Sequence, residues 1–245
     1  MILKNKNIFI TGAGKGIGFS STLEAIKQGA FVYALVKSKK DKKKFKNIKN
    51  IKLFFGNVNN LKLIKKILKK SIKDKRKISG IVNNAGIRQR LDFNKISNSK
   101  IKNIFEINFF SIFFIMQIFS KYFKEKKIPA SIVNVGSIVG NLGFKQLSGY
   151  ASTKSAIDGL TKSFANEMSD YKIRANVVSP GFTKTSYFKK FKKKNSLYKW
   201  TLSRIPLKRW AEPEEISSLI CFLLSDQSSY ITGENIKIDG GWSNA

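Results

Sequence analysis

Histidine is missing from all 245 residues, and cysteine occurs once, at Cys221. The first absence excludes Ser-His-Asp triads, histidine metal sites and imidazole general bases. A lone cysteine builds neither a zinc site nor an internal disulfide. No bound metal is therefore expected, and any chemistry has to come from Tyr, Lys, Ser, Asn, the carboxylates or a cofactor. Such sparse cysteine is compatible with a reducing compartment, so a cytoplasmic location is the expectation. No apolar run reaches the length of a membrane span. The opening "MILKNKNIFITGAG" lacks a signal peptide's long apolar core and cleavage site, and reads as a first strand.

Acidic residues are scarce as well, 15 against 47 basic ones, for a net charge of +32. Such an excess suggests nucleic acid. Only six of the basic residues are arginine, however, and Lys, Asn, Ile and Phe are abundant together, as AT-rich codons would produce. No helix-turn-helix, zinc-finger or RNA-recognition pattern accompanies the charge. It is read as lysine on solvated faces with a general attraction for anions, and no specific nucleic-acid partner is expected.

What is present is a core-forming chain, 42% hydrophobic with 20 phenylalanines, of a length that suits one α/β domain. Short apolar runs at 7–11, 31–36, 51–56, 80–86, 131–137, 174–181 and 235–241 read as strands with their exits. They do not alternate with polar residues, which is typical of parallel strands buried on both faces. Helical patterns near 16–28, 60–73, 98–125, 150–170 and 212–225 lie between them. "EPEEI" at 212–216 has the proline and acidic residues that a helix start prefers. Repeated β-α units predict a single Rossmann-like doubly wound parallel sheet over 1–245, with helices on both faces. The basic stretch "KTSYFKKFKKKNSLYK" (184–199) reads as a mobile insertion, and 184–204 as a lid over substrate.

"ITGAGKGIG" (10–18) follows the first strand and opens the first helix, with glycines at Gly12, Gly14, Gly16 and Gly18. The spacing is G-x-x-x-G-x-G rather than G-x-G-x-x-G, since Ile17 takes the last place. Glycines here let the backbone turn sharply and approach a pyrophosphate, whose charge then sits at a helix N-terminus. At the end of the second strand, "YALVKSKKDKKK" places Val36 where an NAD site would carry an acidic residue, followed by Lys37 and Ser38. Lys37, helped by Lys15 in the glycine loop, would attract a 2′-phosphate. NADP(H) is therefore expected over NAD(H).

Tyr150 and Lys154 in "GYASTKSAIDG" are four residues apart, on one face of a helix. The chain carries in order "TGAGKGIG", "NVNN" (57–60), "NNAG" (83–86), Asn108 in "EINFFS", Ser137 in "GS", Tyr150-x-x-x-Lys154 and "PGFTKT" (180–185). Together these resemble the short-chain dehydrogenase/reductase family over nearly the whole length. The resemblance implies that Tyr150 gives a proton to a carbonyl oxygen and that Ser137 hydrogen-bonds that oxygen. It further implies that Lys154 lowers the pKa of Tyr150 and holds the nicotinamide ribose, and that Asn108 supports a proton-relaying water. For the cofactor it implies Thr11 through Gly18, with Asn57 and Val58 (in place of the usual Asp-Val pair) at the adenine. Asn83, Ala85 and Gly86 would flank the adenosine ribose. Pro180 and Gly181 would pass beneath the nicotinamide, and Thr183 and Thr185 would bond its carboxamide. The ending "IDGGW" matches a last strand that commonly joins a homotetramer.

Two substrate classes fit. "GSIVGNLG" and "SYITGENIKIDGG" resemble 3-oxoacyl-(acyl-carrier-protein) reductases of fatty-acid synthesis, the favoured expectation, with a carrier-bound carbonyl substrate. The carrier-docking arginines of that group have no counterpart here; Ile128 beside Lys126 and Lys127, and Tyr171 beside Lys172, hold their places. "NNAGIRQR" and "RIPLKRWAEPEE" resemble reductases of sugars, sugar acids or sugar-derived precursors, and Arg88 and Arg90 could meet an anionic substrate. A cofactor- or nucleic-acid-binding protein without activity is the remaining alternative; an intact Asn-Ser-Tyr-Lys set speaks against it.

Overall fold

A parallel strand between two helical layers needs apolar residues at odd and even positions alike, and the strands here have them. In β1 (Asn7–Thr11), Ile8 and Ile10 face one layer and Phe9 the other. In β2 (Phe31–Val36), Val32, Ala34 and Val36 oppose Tyr33 and Leu35. The computed structural model describes residues 1–186 and 188–244, with only the backbone of Lys189 and Lys190.

Among these residues the remaining strands are β3 (Ile51–Phe55), β4 (Gly80–Asn83), β5 (Ala130–Val135), β6 (Ile173–Pro180) and β7 (Asn235–Ile238). They form one parallel seven-stranded sheet in the order β3-β2-β1-β4-β5-β6-β7. The order reverses between β1 and β4, which opens a crevice at the carboxyl ends of these strands. Ligands of open α/β sheets bind at such a switch point.

One face is covered by α1 (Gly16–Lys27) and α9 (Pro213–Leu224). Pro213 sits in the first turn of α9, and Glu215 accepts from the Glu212 amide at 2.8 Å, so the acidic start does cap this helix. The other face carries α2 (Leu61–Lys73), α3 (Asn98–Phe105), α4 (Ser111–Glu125) and α6 (Ser148–Met168).

Residues 98–125 are one continuous helix in which Glu106–Phe110 form a wider π-turn. By length and composition alone this helix could cross a membrane, although polar residues break its apolar run. Its apolar side belongs to the core instead: Ile112, Ile115, Met116, Phe119 and Phe123 are buried against the sheet.

The basic stretch, expected as a mobile insertion, holds helical structure. It contains α7 (Phe188–Lys192) and α8 (Asn195–Arg204). Aromatic residues the sequence reading had passed over hold it: Phe188 and Phe191 lie 5.1 and 4.9 Å from the Trp210 ring, and Trp200 lies 5.5 Å from Trp242. Tyr187, within the expected lid, lies outside the described residues.

Phe119 stacks on Phe9 at 5.4 Å with no exposure, at the centre of the larger core. Phe119→Ala should cost about 3–5 kcal/mol, as large-to-small changes of buried aromatics do. Urea unfolding checks this; a loss below about 1 kcal/mol would show that α4 does not hold the sheet as described.

Candidate active site

At the switch point the loop from β1 to α1 is forced close to the exit of β4. Gly12 has a left-handed φ of 65°, and a Cβ there would meet Ala85 Cα at 2.9 Å. A Cβ on Gly18 would overlap the Gly12 carbonyl oxygen. Both positions therefore exclude any side chain. Helix α1 begins here with no side-chain cap and no acidic residue in its first turn. Its leading N–H groups and positive dipole end are thus available to an anion. Across the crevice Thr185 closes on the loop, with its Cγ2 3.2 Å from where a Gly16 Cβ would stand.

A cavity of about 420 Å³ runs from this loop to the ends of β5 and β6. Gly12, Lys15, Gly16 and Ile17 line one end, with Ala85 and Gly86 beside them. Ser137, Tyr150, Lys154, Pro180, Gly181 and Thr183 line the other, and Thr185 spans the two. Thr11, Gly14, Gly18, Lys37, Ser38, Asn57, Val58, Asn83 and Asn108 are outside this lining. Thr11 has a scaffold position: its hydroxyl accepts from the Asn84 and Ala85 amides, both at 3.1 Å. The Asn83 side chain turns into the sheet and donates to Asn134 Oδ1 at 2.8 Å. Val58 packs on the core, and Asn57 is exposed after β3. Ser38 caps the 3₁₀ turn Lys39–Phe45, while Lys37 is exposed just before it.

Several lining or supporting residues escaped the sequence reading. Asn84 lines the cavity and donates to the Thr11 and Gly12 carbonyls at 3.1 and 3.2 Å, bracing the glycine turn. In strand-exit geometry successive residues point opposite ways, so the doubled asparagine was the available signal. Asp41 Oδ2 comes within 2.9 Å of a would-be Gly14 Cβ, and Lys44 neutralises it at 2.6 Å while donating to the Gly14 carbonyl at 2.8 Å. Phe144, Phe182 and Trp210 supply an aromatic wall. No local pattern marks them, because distant segments bring them together.

Tyr150 and Lys154 occupy the first two turns of α6, facing the loop after β5. The Lys154 ammonium is almost fully buried and donates to the Val135 carbonyl at 2.6 Å. Burial pulls its pKa down to about 8. It lies 5.7 Å from the centre of the Tyr150 ring. Ser137 accepts from the Val139 amide at 3.2 Å and lines the cavity beside Tyr150, whose ionised form its hydroxyl favours. Asn108, in the π-turn, grips the backbone of Ile87 at both ends: Oδ1 accepts from its amide at 2.8 Å and Nδ2 donates to its carbonyl at 2.9 Å. The same Nδ2 reaches Thr153, beside Lys154, at 3.3 Å.

One expectation is corrected. The phenol of Tyr150 is not made more acidic by this surrounding: burial raises its pKa, and Arg88 and the Ser137 hydroxyl only partly oppose that. The reason is geometric. Lys154 directs its ammonium at the Val135 carbonyl, and burial of the phenol outweighs the influences that would lower its pKa. At neutral pH the hydroxyl therefore keeps its proton, as a proton donor requires.

A parallel sheet with a glycine-lined, capless helix start at its switch point, joined to a Ser-Tyr-Lys cluster, defines a dinucleotide-binding oxidoreductase fold. A family model described as enoyl-(acyl carrier protein) reductase matches residues 12–243. A 3-oxoacyl-(acyl-carrier-protein) reductase of Thermotoga maritima is 35% identical over 98% of this chain and 99% of its own. A 4-hydroxyisoleucine dehydrogenase complexed with NADH superposes with a TM-score of 0.92 at 29% identity, covering 98% of this chain and 99% of that one. A structure assigned as a 2-deoxy-D-gluconate 3-dehydrogenase of Agrobacterium tumefaciens, with bound NADP, gives 0.90 at 27% identity, covering 99% and 98%. The chain belongs to the short-chain dehydrogenase/reductase family.

The proton budget of Tyr150 can be read from pH profiles. Reduction should hold while the phenol is protonated and fall as pH rises through its pKa; alcohol oxidation should rise over the same range. Ser137→Ala removes an influence that lowers this pKa, so the alkaline limb should move to higher pH, with kcat reduced about 100- to 1,000-fold. Tyr150→Phe should abolish turnover with NADPH binding retained. An unmoved alkaline limb in Ser137→Ala, or turnover in Tyr150→Phe, would refute the assignment.

Proposed function

We propose that this protein is an NADP(H)-dependent reductase converting a ketone to a secondary alcohol. The observation that carries the reading is that Ser137, Tyr150 and Lys154 line one cavity that continues to the glycine cradle. The nicotinamide dinucleotide supplies the hydride when bound. Tyr150 donates its proton to the carbonyl oxygen, and Ser137 stabilises the charge developing there. Lys154 would hold the nicotinamide ribose. The Asn108 bonds to Ile87 and Thr153 support a role in keeping the loop and α6 at a fixed distance, alongside the water relay that the family resemblance implies. The retained phenolic proton favours the reductive direction.

Preference for NADP(H) rests on charge. Val36 leaves no carboxylate at the end of β2, and Lys37 and Lys15 flank the place of a 2′-phosphate. Asp41 is the nearby carboxylate, and Lys44 pairs with it. The KM for NADPH should lie below that for NADH, and Lys37→Asp should narrow the ratio about 10-fold or more, the worth of one charge-assisted contact. A wild-type preference for NADH would overturn this reading.

For substrate, the favoured reading is a 3-oxoacyl thioester on an acidic carrier, supported by the Thermotoga relative and the basic surface. Of the positions aligned with carrier-docking residues, Ile128 is buried and leaves Lys126, Lys127 and Lys172 as the available cations. The second reading, a sugar-derived acid, is favoured by Arg88 in the cavity and by the Agrobacterium neighbour. A cytoplasmic homotetramer is proposed by analogy. The half-exposed rings of Phe110 and Phe113 on α3–α4 support association. Light scattering should give the mass of four chains; a monomer at micromolar concentration would count against it.

A further inference from the structure

We propose that Arg88 is a substrate-binding residue that selects carbonyl compounds carrying a carboxylate close to the ketone. The inference deepens the ketone-reductase reading of the same cavity and rests on it. It develops the second of the two substrate readings, the acid one.

The first ground is placement. Arg88 lines the catalytic cavity together with Ser137 and Tyr150, and its charge acts on the Tyr150 hydroxyl. An anion held by this guanidinium would thus lie near the oxygen that Tyr150 protonates. Arg90, two residues on, is outside the lining and instead donates to Gln146 Oε1 at 3.0 Å. Of the two arginines, one faces the chemistry.

The second ground is the rigidity of the segment that carries it. Asn108 holds both backbone groups of Ile87, immediately before Arg88. Beyond it, the Leu91 amide donates to the Gln146 carbonyl at 2.9 Å, and Gln146 in turn donates to Asp92 at 2.7 Å. Fixing the backbone on both sides of one side chain lowers the cost of using it for recognition.

The third ground is the sign of the cavity. Its described lining contains Lys15, Arg88 and Lys154 and no Asp or Glu. Lys15 stands at the phosphate end, and Lys154 is committed to Val135. Arg88 shares the cavity with Tyr150 and acts on its hydroxyl. A guanidinium there can take a carboxylate through two parallel hydrogen bonds. The aromatic wall of Phe144, Phe182 and Trp210 leaves room for a compact carbon chain beside the charge.

The test uses matched pairs: pyruvate, acetoacetate and levulinate against their methyl esters. Binding to the NADP⁺-loaded enzyme is measured by calorimetry, and turnover by NADPH oxidation. At least one acid should bind about 10- to 100-fold more tightly than its ester, the span of a charged hydrogen-bonded contact. Arg88→Gln should bring that ratio towards one, and Arg88→Lys should keep part of it, with the NADPH dissociation constant as the check on folding. Acids and esters binding alike in the wild type, or an acid preference that survives Arg88→Gln, would overturn the proposal. Arg88-dependent binding of an acid without reduction of any ketone would instead leave Arg88 standing and remove the reductase reading.

Discussion

The site depends on an ammonium group placed where water cannot solvate it. Lys154 is almost completely covered, and its bond to the Val135 carbonyl is the hydrogen bond shown for its Nζ. Burying a charge is costly unless polar partners replace the lost water. The pKa of about 8, below the usual 10.5, records that cost. In the folded chain the proton is bound less tightly than in the unfolded one. The destabilisation is therefore fully present below about pH 8 and relieved as pH rises towards 10.5. A lysine kept at such a place brings β5 and α6 into register, because a single bond ties the last strand residue to the second turn of the helix. Ser137 and Tyr150 meet as a consequence.

That same close approach constrains its neighbours. A Cβ on Gly140 would stand 2.9 Å from the backbone carbon of Lys154, so the short helix α5 (Val139–Leu142) can press against α6 only through glycine. On the opposite side Asn108 reaches Thr153, one residue before Lys154. The π-turn around Asn108 makes this possible: one extra residue in the turn rotates the side chain off the regular face of α3–α4 and into the space between loop and helix. Lys154 is thus fixed from β5, from α5 and from the π-turn together.

Much of this was legible in the sequence, for physical reasons that differ by element. Strands β1, β2 and β5 announce themselves because burial on both faces demands unbroken apolar runs. The cradle is legible because close backbone approach tolerates glycine alone at Gly12 and Gly18. The Tyr150–Lys154 pair follows from helical spacing. The direction of the Tyr150 shift did not follow, since spacing says that two groups are near but not how much water surrounds them. The π-turn was hidden as well: "FEINFFS" reads as ordinary helix, and the extra residue is selected by contacts with Ile87 and Thr153, far away in the chain. The helices of the basic stretch were masked by lysine. Their order comes from Trp210 and Trp242, which lie well beyond the basic stretch.

Charge, the most conspicuous property of the chain, has two meanings that only position separates. On α2, six lysines among thirteen residues lie towards solvent, and Asp74 answers two basic neighbours, Lys52 and Lys70. Water and salt screen the others, and little specificity follows from them. Inside the crevice the same sign acts without dilution, because the walls are apolar and no carboxylate stands among the described lining residues. An anion entering there exchanges water for fixed cations that have already been partly desolvated by the fold. The surface lysines raise the local concentration of anionic molecules; the cavity decides which of them can react. An excess of charge spread over the exterior therefore says little about function, whereas three cations around one cavity constrain both the dinucleotide and its co-substrate.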